Sequence, residues 1–243
     1  MKLGMIKYHL LLLFREPLIL VFGLALPFVQ LFITQEPLSP EGLPYFDHFM
    51  DLVMPLVIAI AVMALCFMDS AFSHAYSRQI KFLRRLRMTP VTPAIYVLTG
   101  VLSRLGVVFV FTGTFLVASS VIVDLNLAGR NWFAFISMLT LMFAMFYFMG
   151  MFVANVFKSA KQSQSMLYVV FFSFIFLVNV VGNLDTFPDL VRTLIEHFPA
   201  FYAVNLLRAA WMGTGLFGGH ELIATVLLTV VFGALSVKFF KYE

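Results

Sequence analysis

The chain has 243 residues, of which 62% are hydrophobic and only 12% charged, with a formal net charge of +4. Soluble domains carry about 25% charged residues, so this composition excludes an ordinary water-soluble core and makes lipid the main solvent. Cys66 is the one cysteine, so no disulfide can form within the chain.

A spanning helix needs about 20 apolar residues, and the chain divides on that measure. Met1–Arg15 places Lys2, Lys7, His9 and Arg15 among leucines and reads as an interfacial helix on the cytoplasmic face. No small-residue cleavage site closes the apolar run, so no cleavable signal is expected. The first span is Pro17–Thr34, with a kink at Pro27. Residues 35–49 carry Pro37, Pro40, Gly42 and Pro44 and form an irregular loop. The second span, Met50–Met68, runs on into the most charged stretch of the chain.

That stretch, Arg78–Pro93, reads RQIKFLRRLRMTPVTP. Wound at about 100° per residue, the region sorts into two faces. Phe72, Ala75, Tyr76, Gln79, Phe82, Leu83 and Leu86 fall on one side. His74, Ser77, Arg78, Lys81, Arg84 and Arg85 fall on the other, with Ile80 and Arg87 near a boundary. Thr89-Pro90 stops the helix, because proline lacks the N–H and disfavours helical geometry before it. Two readings stand: a lipid-hugging cytoplasmic loop, or a helix that docks a soluble partner.

Ala94–Val123 stays apolar for 30 residues, about 45 Å as a helix, which exceeds the hydrocarbon core. Taking Arg104 as the cytoplasmic boundary leaves Leu105–Val123 as the third span and 94–103 below the membrane. Asp69 falls near the same boundary, and the two either pair or reach water. After a turn at Asp124–Asn131, the fourth span is Trp132–Phe157, with Trp132 at the outer interface. A basic loop at Lys158–Gln162 leads to the fifth span, Ser165–Val181. Ser165, Tyr168, Phe172, Phe176, Asn179 and Asn183 recur every three or four residues and share one helix face. The stripe is either helix packing or the wall of a cavity for an amphipathic molecule.

Residues 182–219 are too polar to cross, yet hold two apolar pieces, Leu190–Phe198 and Phe201–Met212, broken at Pro199. They form either an ordinary outer loop or two short helices half-inserted and buried in protein. His220–Phe240 is the sixth span. With both termini inside, all of the 16 Lys and Arg except Arg130, Arg192 and Arg208 lie on the cytoplasmic side. The expected fold is an all-α integral membrane protein with six transmembrane helices. It forms one domain over 1–243, with an interfacial helix at 1–15, a cytoplasmic helix at 72–90 and outer helices within 182–219.

No G-x-x-x-x-G-K-[ST] occurs, so the chain holds no ATP by a phosphate loop. No G-x-S-x-G elbow occurs either, and no catalytic residue is expected. His9, His48, His74, His197 and His220 lack the i, i+4 spacing of a metal pair and read as interfacial residues, so no metal site is expected. Scarce charge within the spans argues against an ion-driven carrier, which needs a titrating relay.

Leu83-Arg84-Arg85-Leu86 followed by Thr89-Pro90-Val91-Thr92-Pro93 resembles the loop between the second and third spans of ABC transporter type 2 permeases. The family pattern there is roughly Arg-Glu-x-Gly-Thr-Leu-x-Arg-Leu-x-x-Thr-Pro-Val. This chain keeps Arg78, Leu83, Arg85, Leu86, Thr89, Pro90 and Val91, and departs at Gln79, Lys81 and Phe82. Phe198-Pro199-Ala200-Phe201-Tyr202-Ala203-Val204, with Arg208 downstream, is similar to the family's Asn-Pro-Leu-Thr-Tyr-Ala-Val and its Arg, with Phe198 in place of Asn.

The resemblance implies that 72–90 is a coupling helix seated in a groove of an ATPase subunit, with Arg78, Lys81, Phe82, Leu83, Arg84, Arg85, Leu86, Thr89 and Pro90 as the coupling residues. In that picture the apolar face docks and the basic face steers. It favours re-entrant outer helices hinged at Pro199, with Tyr202 and Arg208. It implies the membrane subunit of a bacterial exporter in the cytoplasmic membrane, working as a homodimer or with a paralogous partner. Two ATPase copies would carry ATP and Mg, this chain would bind no cofactor, and no nucleic acid is expected. Small outer loops and a short N-terminus, unlike that of polysaccharide exporters, lean the substrate toward a small hydrophobic or amphipathic molecule: a drug, antibiotic, peptide or lipid. A secondary carrier and a non-transporting membrane scaffold are the alternatives.

Overall fold

A computed structural model of the chain describes residues 2–33, 46–86, 88–89, 92–122, 125, 127–157, 160–180, 188–213 and 219–240. Side chains are described for the same residues except 2–3, 33, 46–52, 93–94, 160, 177–180, 190–191 and 194. The described residues contain helices and no strand. In order they are α1 (Lys2–Phe14), α2 (Pro17–Leu20), α3 (Leu26–Ile33), α4 (Phe46–Met63), α5 (Asp69–Gln79), α6 (Phe82–Leu86), α7 (Pro93–Ile122), α8 (Trp132–Val156), α9 (Ala160–Val180), α10 (Asp189–Glu196), α11 (Pro199–Met212) and α12 (His220–Lys238).

Local chemistry sets several of these ends. Pro17 sits in the first turn of α2, where its missing N–H costs nothing. The Asn131 side chain accepts from the Ala134 N–H at 3.1 Å and caps α8. Gly213 adopts a left-handed φ of 69° and ends α11.

Two π-helical segments, Val21–Ala25 and Ala64–Met68, join α2 to α3 and α4 to α5. They meet at Gly23, where a β-carbon would stand 2.6 Å from Leu65 Cδ2, so a larger residue would force the Leu65 side chain to move. A β-carbon on Gly150 would likewise collide with Ser70 Oγ and the Phe67 carbonyl, which lets α8 close on the head of α5.

Among the described residues, four helices are long and apolar enough to cross a membrane: Val53–Gln79, Ile95–Ile122, Trp132–Val156 and His220–Lys238. Gly4–Phe14 and Pro17–Phe32, bent by 82°, would make a fifth if taken as one. The chain is therefore a multi-pass membrane protein. α9 occupies the expected fifth segment.

The organising element is the rod Val53–Gln79, buried over almost its whole length. α8, α9 and α11 pack around it, α12 backs α8 and α11, and α1 lies along α7. The helix of the second span runs on past Met68 without a break, and the first half of the expected cytoplasmic helix is the buried tail of this rod. α7 is continuous from Pro93 to Ile122, so residues 94–103 are its opening turns. α10 and α11 flank Pro199 close to the expected bounds. α11 buries Ala203, Leu206, Leu207, Ala210 and Trp211 against its neighbours.

Candidate functional site

The rod ends in a tight turn. Ile80 N–H donates to the Tyr76 carbonyl at 3.0 Å and Lys81 N–H to the Arg78 carbonyl at 2.8 Å. Lys81 takes a left-handed φ of 56°, which costs an L-residue about 1–2 kcal/mol. α6 begins only after this break, so the amphipathic helix expected over 72–90 is two helices. Its two faces change meaning as a result.

Leu83 is 0% and Leu86 8% exposed, packed in one cluster with Met5 and Tyr96. Phe82 is half-buried and stacks on Tyr8 with ring centroids 4.2 Å apart. The apolar face thus rests on the chain itself rather than standing free to dock. Arg78 is also buried and donates to the Phe157 carbonyl at 2.8 Å. The exposed surface is Gln79, Ile80, Lys81, Arg84, Arg85, Met88 and Thr89, with Met88 at 88%. Thr89 Oγ1 donates to the Leu86 carbonyl at 2.7 Å and ties the end of the segment. Pro90 lies outside the described residues.

Directly above the turn the rod carries a buried polar network. Asp69, 0% exposed, forms an ion pair with Arg104 Nε and accepts from Ser73 Oγ at 2.8 Å. Arg104 Nη1 reaches the Gly100 carbonyl at 3.3 Å and His9 Nδ1 at 3.2 Å. A guanidinium has no acceptor, so His9 Nδ1 must accept and its proton sits on Nε2. The Arg104 guanidinium also lies 5.7 Å from the Tyr147 ring centroid.

One turn down, Ser77 Oγ donates to the Ser73 carbonyl at 2.6 Å and so receives the Tyr8 hydroxyl at 2.8 Å. His74 Nε2 donates to Asn155 Oδ1 at 3.0 Å, and Asn155 Nδ2 donates to Met151 O at 2.9 Å and Ser236 O at 3.5 Å. The network therefore fastens α1, α5, α7, α8 and α12 together just above the basic turn. Asp69 and Arg104 pair inside the bundle rather than reaching water, and His9 and His74 are interior rather than interfacial. The sequence signal was the polar row Asp69, Ser70, Ser73, His74 and Ser77 at helical spacing in an apolar rod.

The fifth-segment stripe turns outward. Ser165 is exposed, Phe172 is 50% and Phe176 60% exposed, and Tyr168 is half-buried. The face of α9 packed inside the chain is instead Ser163, Leu167, Phe171 and Phe174. The Asn179 side chain and Asn183 lie outside the described residues. At the other end of the bundle Pro199 opens α11, and Tyr202 meets His220 edge-on at 6.4 Å. Arg208 is half-buried. Arg130 stacks over Trp211 at 4.0 Å and donates to its carbonyl at 3.1 Å, pinning the turn before α8 to the end of α11. Among the described residues no group of three His, Cys, Asp or Glu side chains could hold a metal ion.

A family model described as ABC-2 type transporter matches residues 3–212, which takes in the rod, the basic turn and α11. No curated protein and no solved structure matches the chain.

Proposed function

The chain belongs to the ABC-2 type transporter family as a membrane component of a transporter, and from that premise we propose that it is the permease subunit of an ATP-driven exporter. The observation that carries this reading is the exposed basic turn at the foot of a buried rod. Lys81, Arg84 and Arg85, with Ile80 and Met88 beside them, form a surface fixed to the centre of the bundle. A partner seated on them moves the rod and everything the polar network holds to it. Two ATPase subunits would bind there on two permease subunits, identical or paralogous, in a bacterial cytoplasmic membrane. ATP and Mg would sit on those subunits.

Docking on this surface differs from the seating implied by the family pattern. Arg84 and Arg85 meet acidic groove residues, and the apolar contact comes from Ile80 and Met88, because Leu83 and Leu86 already have neighbours within the chain. Arg78 and Thr89 shape the turn rather than touch the partner. The outer helices would cap the path, with Pro199 as hinge and Tyr202 and Arg208 on α11. A small hydrophobic or amphipathic substrate would cross on the α9 side, past Tyr168, Phe172 and Phe176.

The test is reconstitution of the chain with its ATPase subunit in proteoliposomes loaded with candidate compounds. Efflux that requires ATP is expected. Equal movement without ATP would replace this reading with a secondary carrier, and no movement under either condition would leave a membrane scaffold.

A further inference from the structure

Between the corner that joins α1 to α2, the lower part of the rod and α9 lies a shallow, half-open cleft, whose interior has room for about one water molecule. Glu16, Phe72, Gln164 and Tyr168 line it over a floor that includes Met68 and Leu167. Glu16 stands at the corner itself and is half-buried. A carboxylate in that position ordinarily caps the following helix or pairs with a cation. Glu16 makes no capping hydrogen bond to α2, and no ion pair among the described residues includes it. Burial, and then the charge of Asp69, raise its pKa. These are the circumstances of a carboxylate that lacks a cation.

The rest of the lining has the same polarity. Gln164 Nε2 is committed to the Tyr168 hydroxyl at 3.0 Å, which leaves its amide oxygen as a second acceptor. Phe72 and Tyr168 add two aromatic rings, whose faces attract cations. The cleft thus offers a carboxylate, an amide oxygen and two aromatic rings, and no positive side chain is among its described lining residues. Phe172 and Phe176 follow Tyr168 along α9 at intervals of one turn and are exposed. A tail anchored at the cleft would lie against them at the level of the apolar core.

We propose that a lipophilic organic cation seats at the mouth of this cleft, with its ammonium group against Glu16 and its tail along α9. Calling that ligand the exported substrate rests on the exporter reading; the binding site does not. A carboxylate against an ammonium, with aromatic rings beside it, selects charge, and the apolar tail only adds affinity, so the discriminating comparison is between a cation and its neutral isostere.

The experiment uses purified full-length chain in phosphatidylglycerol nanodiscs, a lipid without an ammonium head group. Dodecyltrimethylammonium and its uncharged analogue, with carbon in place of nitrogen, are titrated by calorimetry, and empty discs are subtracted. Saturable binding of the cation, about tenfold tighter than the isostere, is expected for wild type. Glu16→Gln should remove that preference without changing affinity for the isostere or the melting temperature. Tyr168→Leu should reduce the preference several-fold and serves as the second variant if Glu16→Gln folds poorly. Equal cation affinity in wild type and Glu16→Gln, or no preference over the isostere in wild type, would overturn the proposal. So would full displacement of the cation by phosphatidylcholine, which would assign the cleft to lipid. Binding is read without an ATPase subunit, so its failure leaves the exporter reading standing. Saturable binding by a protein that exports nothing with ATP would overturn that reading and keep the cleft.

Discussion

Removing the guanidinium of Arg104 tests whether the buried network holds the bundle together. Arg104→Leu leaves the Asp69 carboxylate buried with one neutral donor, Ser73 Oγ, and takes a partner from His9 and from the Gly100 carbonyl. Breaking a buried ion pair from one side costs about 3–5 kcal/mol. The loss is capped near 4 kcal/mol at pH 7, because a carboxyl of ordinary pKa about 3.9 takes up a proton at about 1.4 kcal/mol per pH unit. For a chain of this size 1 kcal/mol moves the melting temperature by about 2–4 °C, so Arg104→Leu should melt about 6–16 °C below wild type in the same detergent. Asp69→Asn should cost at least as much, because a guanidinium cannot shed its charge. The double variant Asp69→Asn/Arg104→Leu should recover at least half of the loss, because it leaves no charge unpaired. The measurement is thermal unfolding of the purified protein, followed by tryptophan fluorescence. Single variants within 2 °C of wild type, or a double variant equal to the sum of the singles, would refute the network's structural role.

Leu83→Ala, at a position with no exposure, should cost about 2–5 kcal/mol, and Leu86→Asp should also lower melting; wild-type melting for either would mean that the apolar face is free. Single cysteines at Asp189 and Leu206 in a Cys66→Ser background should react fast and slowly, respectively, with an impermeant maleimide, since Asp189 is exposed and Leu206 buried; equal fast labelling would place α11 in solvent. Phe171→Ala, in the core, should lower melting, whereas Phe172→Ala on the exposed face should keep melting and change which compounds are exported; the reverse pattern would move the substrate path away from α9.

The positions of the helices were legible because a span needs a long apolar run, and the breaks at Pro17, Trp132, Pro199 and His220 are punctuated by proline, tryptophan or charge. The turn at Lys81 carries no such mark. A lysine with left-handed φ is held there by the Tyr76 and Arg78 carbonyls and by the packing of Leu83, which are consequences of tertiary structure. Ile80, which with Arg87 lies near a boundary of the expected helix's faces, is the local hint within the turn. The pairing of Asp69 with Arg104 could be raised as a possibility from their common depth. The contact of His74 with Asn155 could not, because the partners are 81 residues apart. The outward turn of Phe172 and Phe176 was equally hidden, because periodicity fixes that residues share a face and not what the face meets.

The central claim is that the exposed basic turn couples this chain to an ATPase. It is tested most directly by the ATPase activity of the reconstituted complex carrying Arg84→Glu/Arg85→Glu, compared with wild type at matched amounts of folded protein. Both side chains are exposed and outside the buried clusters, so melting should stay within about 2 °C of wild type, as surface substitutions usually do. The predicted result is loss of substrate-stimulated ATP hydrolysis together with loss of ATPase-subunit capture, and weakened capture of the wild-type chain as salt is raised. Full stimulation and capture by the charge-reversed variant would contradict the claim.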